Sequence, residues 1–398
     1  MNVMKESNYN FDEIIDRKNT CSVKWDGTDK IFQKENLLSM WVADMDFLSP
    51  RPIIDAITCR AEHGVYGYIF LSSQYYKAIT NWFQRRHDWT LDKSWIYYVP
   101  GVLPGISFSV QAFSNPEDKI IVQNPVYTPF YHIIKNNGRK RLLNPLNLSN
   151  GHYEMDFKDL KVKAKNPRVK LMILCNPHNP TGRVWTRDEL TTLGEICIEN
   201  NILVIADEIH CDLVYPGYKY TPFASISSEF AQNSITCNSP SKTFNLPSLK
   251  VANVIIPNSE LRSDFNKIRQ SHHITEPNCF ASTALETAYN ECEDWLNELI
   301  LYIKENLEYL KNFIKENFSE VKVIEPEGTY LVWLDFRELG YDSKELSNLL
   351  FDKAKIALWE GSLFGKGGKG FERINIACPR SILKEGLNRI ATAIKNSK

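Results

Sequence analysis

The chain has 398 residues, 43% hydrophobic and 24% charged, with 47 basic and 48 acidic side chains and a formal net charge of −1. That length exceeds one small core and predicts two domains, one of them assembled from both chain ends. The charge balance excludes a broad electrostatic surface for nucleic acid or an anionic membrane. No apolar run is long enough to span a bilayer, and Met1–Ser7 lacks the apolar core of a signal segment. Nine scattered cysteines without a CxxC pair predict reduced thiols in a cytoplasm.

Residues 1–45 are mixed and poorly periodic. Met40-Trp41-Val42-Ala43-Asp44-Met45-Asp46 is an apolar run ending in acids. It carries the chain into the main domain, with backbone contact to a substrate as a weakly signalled second role. Ser49-Pro50-Arg51-Pro52 opens a helix over 50–63. His63-Gly64-Val65-Tyr66-Gly67-Tyr68, with two glycines and two tyrosines, predicts a projecting loop. Ser73 to His87 is helical, and the spacing of Tyr76, Ile79 and Trp82-Phe83 assigns those aromatics to a core.

Trp95–Val99 reads as a strand that runs through Pro100-Gly101 into a helix ending near Phe113. Strand, glycine turn and helix start together offer free backbone N–H groups to a phosphate, although an ordinary β–α turn is commoner for such a segment alone. Lys119–Val122 is a further buried strand. Beyond it Tyr127 stands between Pro125 and Pro129, a stiff position suited to stacking on a planar ring. Residues 136–168, rich in Asn, Lys and Arg, read as a solvated excursion.

The clearest β-α-β unit follows. Leu171–Cys175 is a strand, Asn176–Gly182 a rigid turn, and Thr186 with Glu189 a capping box opening a helix to about Asn200. Ile202–Ala206 is a second strand, ending on Asp207-Glu208-Ile209-His210. Continuous apolar strands joined by helices predict a parallel sheet covered on both faces, so Asn179 and Asp207 leave it at one edge. An aspartate there can keep a pyridinium nitrogen protonated.

After one more short strand, Ser234–Cys237, comes Asn238-Ser239-Pro240-Ser241-Lys242-Thr243-Phe244-Asn245. Two hydroxyls beside an ammonium at a strand end suit a phosphate, and a partly desolvated lysine becomes nucleophilic toward an aldehyde. This segment predicts that Lys242 holds pyridoxal phosphate (PLP) as a Schiff base; taken alone, a surface lysine in a turn explains it equally well. Ala252–Ile256 reads as an edge strand, and Ser282 to about Asn317 as one long helix with an apolar stripe from Trp295 to Ile314. The tail predicts a smaller α+β unit, with strands at Val321–Ile324, Thr329–Leu334 and Phe371–Ile376 and helices at Ser343–Lys353 and from about Ser381. Arg373, within its strand, is either a surface charge or a clamp for a substrate carboxylate. Gly365–Gly370 satisfies GxGxxG but runs into a strand, so it reads as a flexible hairpin loop. HExxH, GxSxG and P-loop motifs are absent, and the eight histidines lack metal spacing, so no metal is expected.

Tyr127, Asn179-Pro180-Thr181-Gly182, Asp207–His210, Ser239–Asn245 and Phe371–Asn375 together resemble the fold-type I PLP enzymes, in the same order from Trp41 to Arg380. Ala43–Phe47, Gly67-Tyr68, His178-Asn179-Pro180 and Cys378-Pro379-Arg380 look like the cystathionine β-lyase/cystalysin branch of the class I/II aminotransferase superfamily. The resemblance implies an α/β fold. A large PLP-binding domain over 46–290 would have a mostly parallel sheet sandwiched by helices, with a smaller α+β domain from 1–45 and 291–398. It implies that Lys242 forms the Schiff base, Asp207 pairs with the pyridine nitrogen, Asn179 bonds the ring oxygen and Tyr127 stacks on the ring. The amides of Val102 and Leu103, with Ser239 and Ser241, would hold the phosphate, and Arg373 the substrate α-carboxylate. Tyr68 would reach the phosphate site of a neighbouring subunit, which implies a homodimer with shared active sites. His210 stands where many aminotransferases have tyrosine, which favours the lyase branch and adds it to the cofactor-binding set. Lys250 stands where many have a phosphate-binding arginine, and its role is left open. The implied activity is α,β-elimination from L-cystathionine or another S-substituted L-cysteine. An aminotransferase is the near alternative, and a regulatory protein binding a transcription factor the alternative of another class.

Overall fold

The protein's structure, a computed structural model, describes residues 9–397; the leading stretch Met1–Ser7 lies outside them. Its centre is an eight-stranded sheet in the order Ile96–Val99, Ala252–Ile255, Ser234–Asn238, Leu203–Asp207, Val169–Cys175, Lys119–Asn124, Lys140–Ser149, His152–Met155. Ala252–Ile255 is antiparallel to both neighbours, and His152–Met155 to Lys140–Ser149. All other neighbours are parallel.

The continuous apolar runs have a direct structural cause. Alternate residues of a strand face opposite sides, and helices cover both sides here. Ile120, Val122, Ile173 and Ile205 pack with Ile106 and Val110 of the helix Val102–Phe113. Ile121, Met172, Leu174 and Val204 pack with Leu190, Leu193 and Ile196 of the helix Arg187–Glu199. Neither face of these strands meets water, so neither tolerates polar alternation. The Thr186/Glu189 capping box opens that second helix as its sequence predicts.

A four-stranded antiparallel sheet lies beyond, in the order Lys322–Ile324, Leu331–Asp335, Phe371–Asn375, Trp359–Glu360. Leu38–Ser39 pairs in parallel with Ile356–Ala357, tying the N-terminal segment to the C-terminal one.

Four stretches depart from the sequence expectation. Residues 136–168 are not a solvated excursion: Lys140–Ser149 and His152–Met155 extend the large sheet, and the helix Phe157–Ala164 follows. These strands lie at the sheet's rim, where Lys140, Arg141, His152 and Glu154 are exposed and hide them. Ala252–Ile255 is internal, not an edge, because Ile96–Val99 pairs with its outer side. The run from 282 to 317 is two helices, Cys279–Glu291 and Glu293–Asn317, parted at Cys292; the apolar period continues across the break. Gly365–Gly370 lies in the connection between the antiparallel strands Trp359–Glu360 and Phe371–Asn375, but it follows one 3-10 turn, Gly361–Phe364, and contains another, Lys366–Gly368, packed against Asn124, Pro125 and Tyr131.

Candidate active site

Five strands of the large sheet point the same way and deliver their polar residues to one edge. Ile96–Val99 ends on Pro100-Gly101, Lys119–Asn124 leads to Tyr127, Val169–Cys175 to Asn179, Leu203–Asp207 ends on Asp207 itself, and Ser234–Asn238 leads to Ser239, Ser241 and Lys242. Together they line one cavity of about 240 Å³ with Val102, Leu103, His210 and Lys250. Carboxyl ends of parallel strands are where α/β sheets bind ligands. Gly101, at φ 143°, adopts a backbone conformation open to glycine and starts the helix Val102–Phe113, whose first N–H groups have no carbonyl partner within the helix.

The loop carrying Lys242 is pinned on several sides. The Ser241 N–H donates to Ser239 Oγ (3.1 Å), and Ser239 Oγ donates to the Val251 carbonyl (2.6 Å). Thr243 Oγ1 donates to Asp212 Oδ2 (2.8 Å). Asp212 also binds His87 Nε2 (2.7 Å) and accepts from Trp82 Nε1 (3.1 Å). His87, Cys211 and Asp212 place ligand-type atoms within 4.8 Å of one another, yet both Asp212 oxygens are already engaged, and the cluster serves to anchor the loop. Phe244 is fully buried against Trp82, and Asn245 Nδ2 donates to the carbonyls of Met45 and Phe47.

Lys242 Nζ donates to the Ala43 carbonyl (2.6 Å), and among the described residues no carboxylate forms an ion pair with it. Burial brings its pKa down to about 8, with the nearby Asp44 carboxylate acting against that drop. Asp207 is pushed up to about 7 by burial, against the Ile209 N–H and the charge of Lys242. Burial, then Lys242 and Arg373, bring His210 down to about 3, so its imidazole is neutral. Its Nδ1 is buried without a hydrogen-bond partner.

Arg373 sits behind this cavity. Nη1 donates to Asn179 Oδ1 (2.9 Å) and Nη2 to the Trp41 carbonyl (2.8 Å), while Nε is buried and unpartnered. Arg373, with Tyr127, Ala43 and Lys242, also lines a second cavity of about 460 Å³, walled by Trp41 and Trp359. Ten sequence-predicted or open positions therefore converge on the first cavity, and Arg373 joins the second. Tyr68 does not join either; it is fully solvent-exposed on the projecting loop of its own chain.

Sequence reasoning gives the segment 40–46 too small a part. Its carbonyls bind Lys242 (Ala43), Arg373 (Trp41) and Asn375 (Val42 and Asp44). A backbone carbonyl has no residue identity, so only the apolar-then-acidic pattern marked the stretch. Trp359 had no signal at all, being contributed by a two-residue strand.

The donor set fits PLP. An unpartnered neutral His210, a carboxyl isolated at the sheet edge, a lysine without a counter-ion, two serines and a helix N-terminus surround a single opening. Lys242 would hold the aldehyde carbon, Asp207 the pyridine nitrogen, Asn179 and His210 the ring's polar edge, and Val102, Leu103, Ser239 and Ser241 the phosphate.

Residues 52–390 match the family described as aminotransferase class I and II. Cystathionine beta-lyase PatB of Bacillus subtilis (strain 168) is 44% identical over 385 residues, covering 97% of this chain and 100% of that protein. A PLP-bound structure from Clostridium difficile 630, described as an aminotransferase, superposes with a TM-score of 0.96 at 46% identity, covering 97% of this chain and 100% of that one. PLP-containing cystalysin from Treponema denticola superposes with a TM-score of 0.95 at 38% identity, covering 98% and 100%.

Proposed function

The chain belongs to the class I and II aminotransferase family, and from that premise we propose that it is a PLP-dependent carbon–sulfur β-lyase. In this reading it cleaves S-substituted L-cysteines to a thiol, pyruvate and ammonia. The observation that carries the proposal is the pairing of Lys242, lowered to about 8, with Asp207, raised to about 7, around one cavity. A lysine so placed is neutral often enough at ordinary pH to take a proton, and such perturbed groups mark functional sites.

When bound, PLP supplies a carbonyl that condenses with an amine and a protonated ring that delocalises the charge left when Cα–H breaks. The rest falls to this chain. Arg373 binds the substrate α-carboxylate through its free Nε–H, held in plane by Asn179 and the Trp41 carbonyl. That contact fixes which bond at Cα faces Lys242. Lys242 Nζ takes the Cα proton, and the Ala43 carbonyl, its partner at rest, keeps it at the cavity floor. The Cβ–S bond breaks and the thiolate leaves into the second cavity. The three-carbon product takes up water to give pyruvate and ammonia. Asp207, on the same cavity as Lys242, would hold the ring nitrogen and keep it protonated. Tyr127 would hold the ring by stacking, and the neutral His210 would offer a hydrogen bond without adding charge.

Residues 46–290 hold the cofactor in this reading, and 1–45 with 291–398 close over the substrate. The working form is a homodimer: Val65, Tyr66, Tyr68 and Phe70 are 64%, 58%, 111% and 83% exposed, an apolar loop that a second copy would cover while Tyr68 reaches its phosphate site. The nine cysteines are unpaired, which suits the cytoplasm. No helix among the described residues is long and apolar enough to cross a membrane.

Transamination is the second reading, favoured by the likeness to the Clostridium difficile structure. Incubating purified, PLP-loaded protein with an S-alkyl cysteine separates the two. Pyruvate and thiol in the absence of any oxo acid is the lyase result. Turnover only on addition of an oxo acid, without thiol release, makes it an aminotransferase.

A further inference from the structure

The second cavity bears on which sulfur substituent leaves. It shares Ala43, Tyr127 and Lys242 with the first, so it is placed to take the substrate's distal group. Its walls are aromatic and aliphatic. Trp41 and Trp359 stack at 4.8 Å with their planes 19° apart, and Phe32 meets Trp41 edge-on at 5.0 Å. Val23, Pro129 and Leu363 complete the apolar surface.

The polar groups there are few and largely committed. The Thr128 hydroxyl donates to the Leu363 carbonyl. Arg373 has two of its three nitrogens engaged, and its remaining N–H serves the α-carboxylate. His132 stands at the mouth. Among the described residues no carboxylate side chain lines the cavity, and the cations that do, Lys242 and Arg373, are already assigned. A distal ammonium and carboxylate, as in cystathionine, would leave water for a surface with no partner for either charge. Unpaired burial of charge is costly, whereas an aryl or alkyl group replaces water against the stacked Trp41–Trp359 pair.

Resting on the lyase reading, we infer that the preferred substrates are cysteines bearing an uncharged apolar S-substituent, with Trp41 and Trp359 as the residues that select them, rather than cystathionine. The experiment uses PLP-loaded protein and compares kcat/KM for pyruvate release from S-benzyl-L-cysteine and L-cystathionine. The expected ratio favours the benzyl compound by at least about 10-fold. A ratio of one or below overturns the inference, and it is also the result expected if a second subunit delivers a cation to the cavity. Absence of pyruvate from both substrates fails the lyase reading instead.

A binding measurement then still decides the inference. Quenching of tryptophan fluorescence is followed with 2-amino-5-phenylpentanoate and with 2,7-diaminosuberate, which lack the labile C–S bond. Tighter binding of the phenyl compound, reduced by about 10-fold in Trp359→Ala with little change for the diamino diacid, supports the pocket. Equal binding of the two, or equal loss of both, overturns it. If Trp359→Ala fails to fold, Leu363→Asn, at a rim position 45% exposed, carries the same comparison.

Discussion

Two lysines flank the segment 41–46, and their surroundings differ in kind. Lys24 is fully buried, with Nζ 2.6 Å from Asp46 Oδ2 and 3.7 Å from Asp44 Oδ1. Arg17 completes the cluster, 2.8 Å from Asp44 and 2.7 Å from Asp46, and Trp25 Nε1 donates to Asp46. Burial acts against the charge of Arg17, yet the two carboxylates hold its guanidinium above the ordinary arginine range. On the other side, Lys242 has only the Ala43 carbonyl at 2.6 Å. Around it Asp207 lacks a cationic contact, and Arg373 Nε and His210 Nδ1 lack any partner. Buried polar groups are normally paired. The closed cluster therefore reads as structure, fixing the carbonyls of 41–44, and the open one as a site whose partners arrive with the ligand.

The sharpest way to break the comparison is Lys242→Ala. Removing the amine of the open cluster leaves no buried charge stranded, so the fold and its melting temperature should change little. Elimination should fall by more than about 10³-fold through loss of the base, and the protein should lose the long-wavelength absorbance that added PLP gives the parent. Activity within 10-fold of the parent would refute the assigned role.

Much of this contrast can be read from the sequence, but unevenly. Asp207 ends a continuous apolar run and Asn179 and Lys242 follow buried strands by a few residues, and burial on both sheet faces forces that pattern, so their convergence at one edge is legible. The Lys24–Asp46 pair is not: 22 positions apart and outside any regular repeat, it depends on the path of residues 9–46, which carry one short helix and a two-residue strand. The same holds for Lys140–Ser149, second from the sheet's rim, where Lys140, Arg141, Pro145 and Asn147 are exposed and mask the strand. Local pattern reports an element's two faces, and it reports little of what the chain's distant carbonyls do.

Next in size is Lys24→Met. It should cost about 3 kcal/mol of stability, because Asp46 stays buried with less compensation, read as a lower urea midpoint at unchanged m-value. The double variant Lys24→Met/Asp46→Leu should recover only part of that loss, because an apolar pair replaces the buried charges while Arg17 and Trp25 Nε1 lose the Asp46 acceptor. If both variants match the parent, the closed cluster is not what holds the segment.

Arg373→Lys should come third. An ammonium cannot reproduce the guanidinium's simultaneous contacts with Asn179, the Trp41 carbonyl and a carboxylate. A loss of about 2 kcal/mol in kcat/KM, carried mainly by KM, is expected for a hydrogen bond to a charged group. A drop confined to kcat would place Arg373 in the chemical step instead.

The smallest effect at any one pH step, and the most specific, is the pH dependence of cofactor-free protein. Asp207 has a folded-state pKa of about 7, above its ordinary value of 3.8. A carboxyl raised in this way favours the folded state while protonated. Its contribution is complete below about pH 4 and is lost as pH rises through about 7, at no more than about 1.4 kcal/mol per pH unit. Glu208, raised to about 8 mainly by burial, acts in the same direction over an overlapping range, and Lys242, lowered to about 8, acts oppositely between there and its ordinary 10.5. Asp207→Asn isolates the first of these, since Glu208 and Lys242 remain in both proteins. Unfolding free energies measured from pH 4 to 8 should fall more steeply in the parent than in Asp207→Asn. Adding PLP should flatten the parent's slope, because a protonated ring nitrogen gives the ionised carboxylate the partner that the protein withholds. Equal slopes in parent and variant would mean that Asp207 is already compensated, and the contrast between the closed and open clusters would go with it.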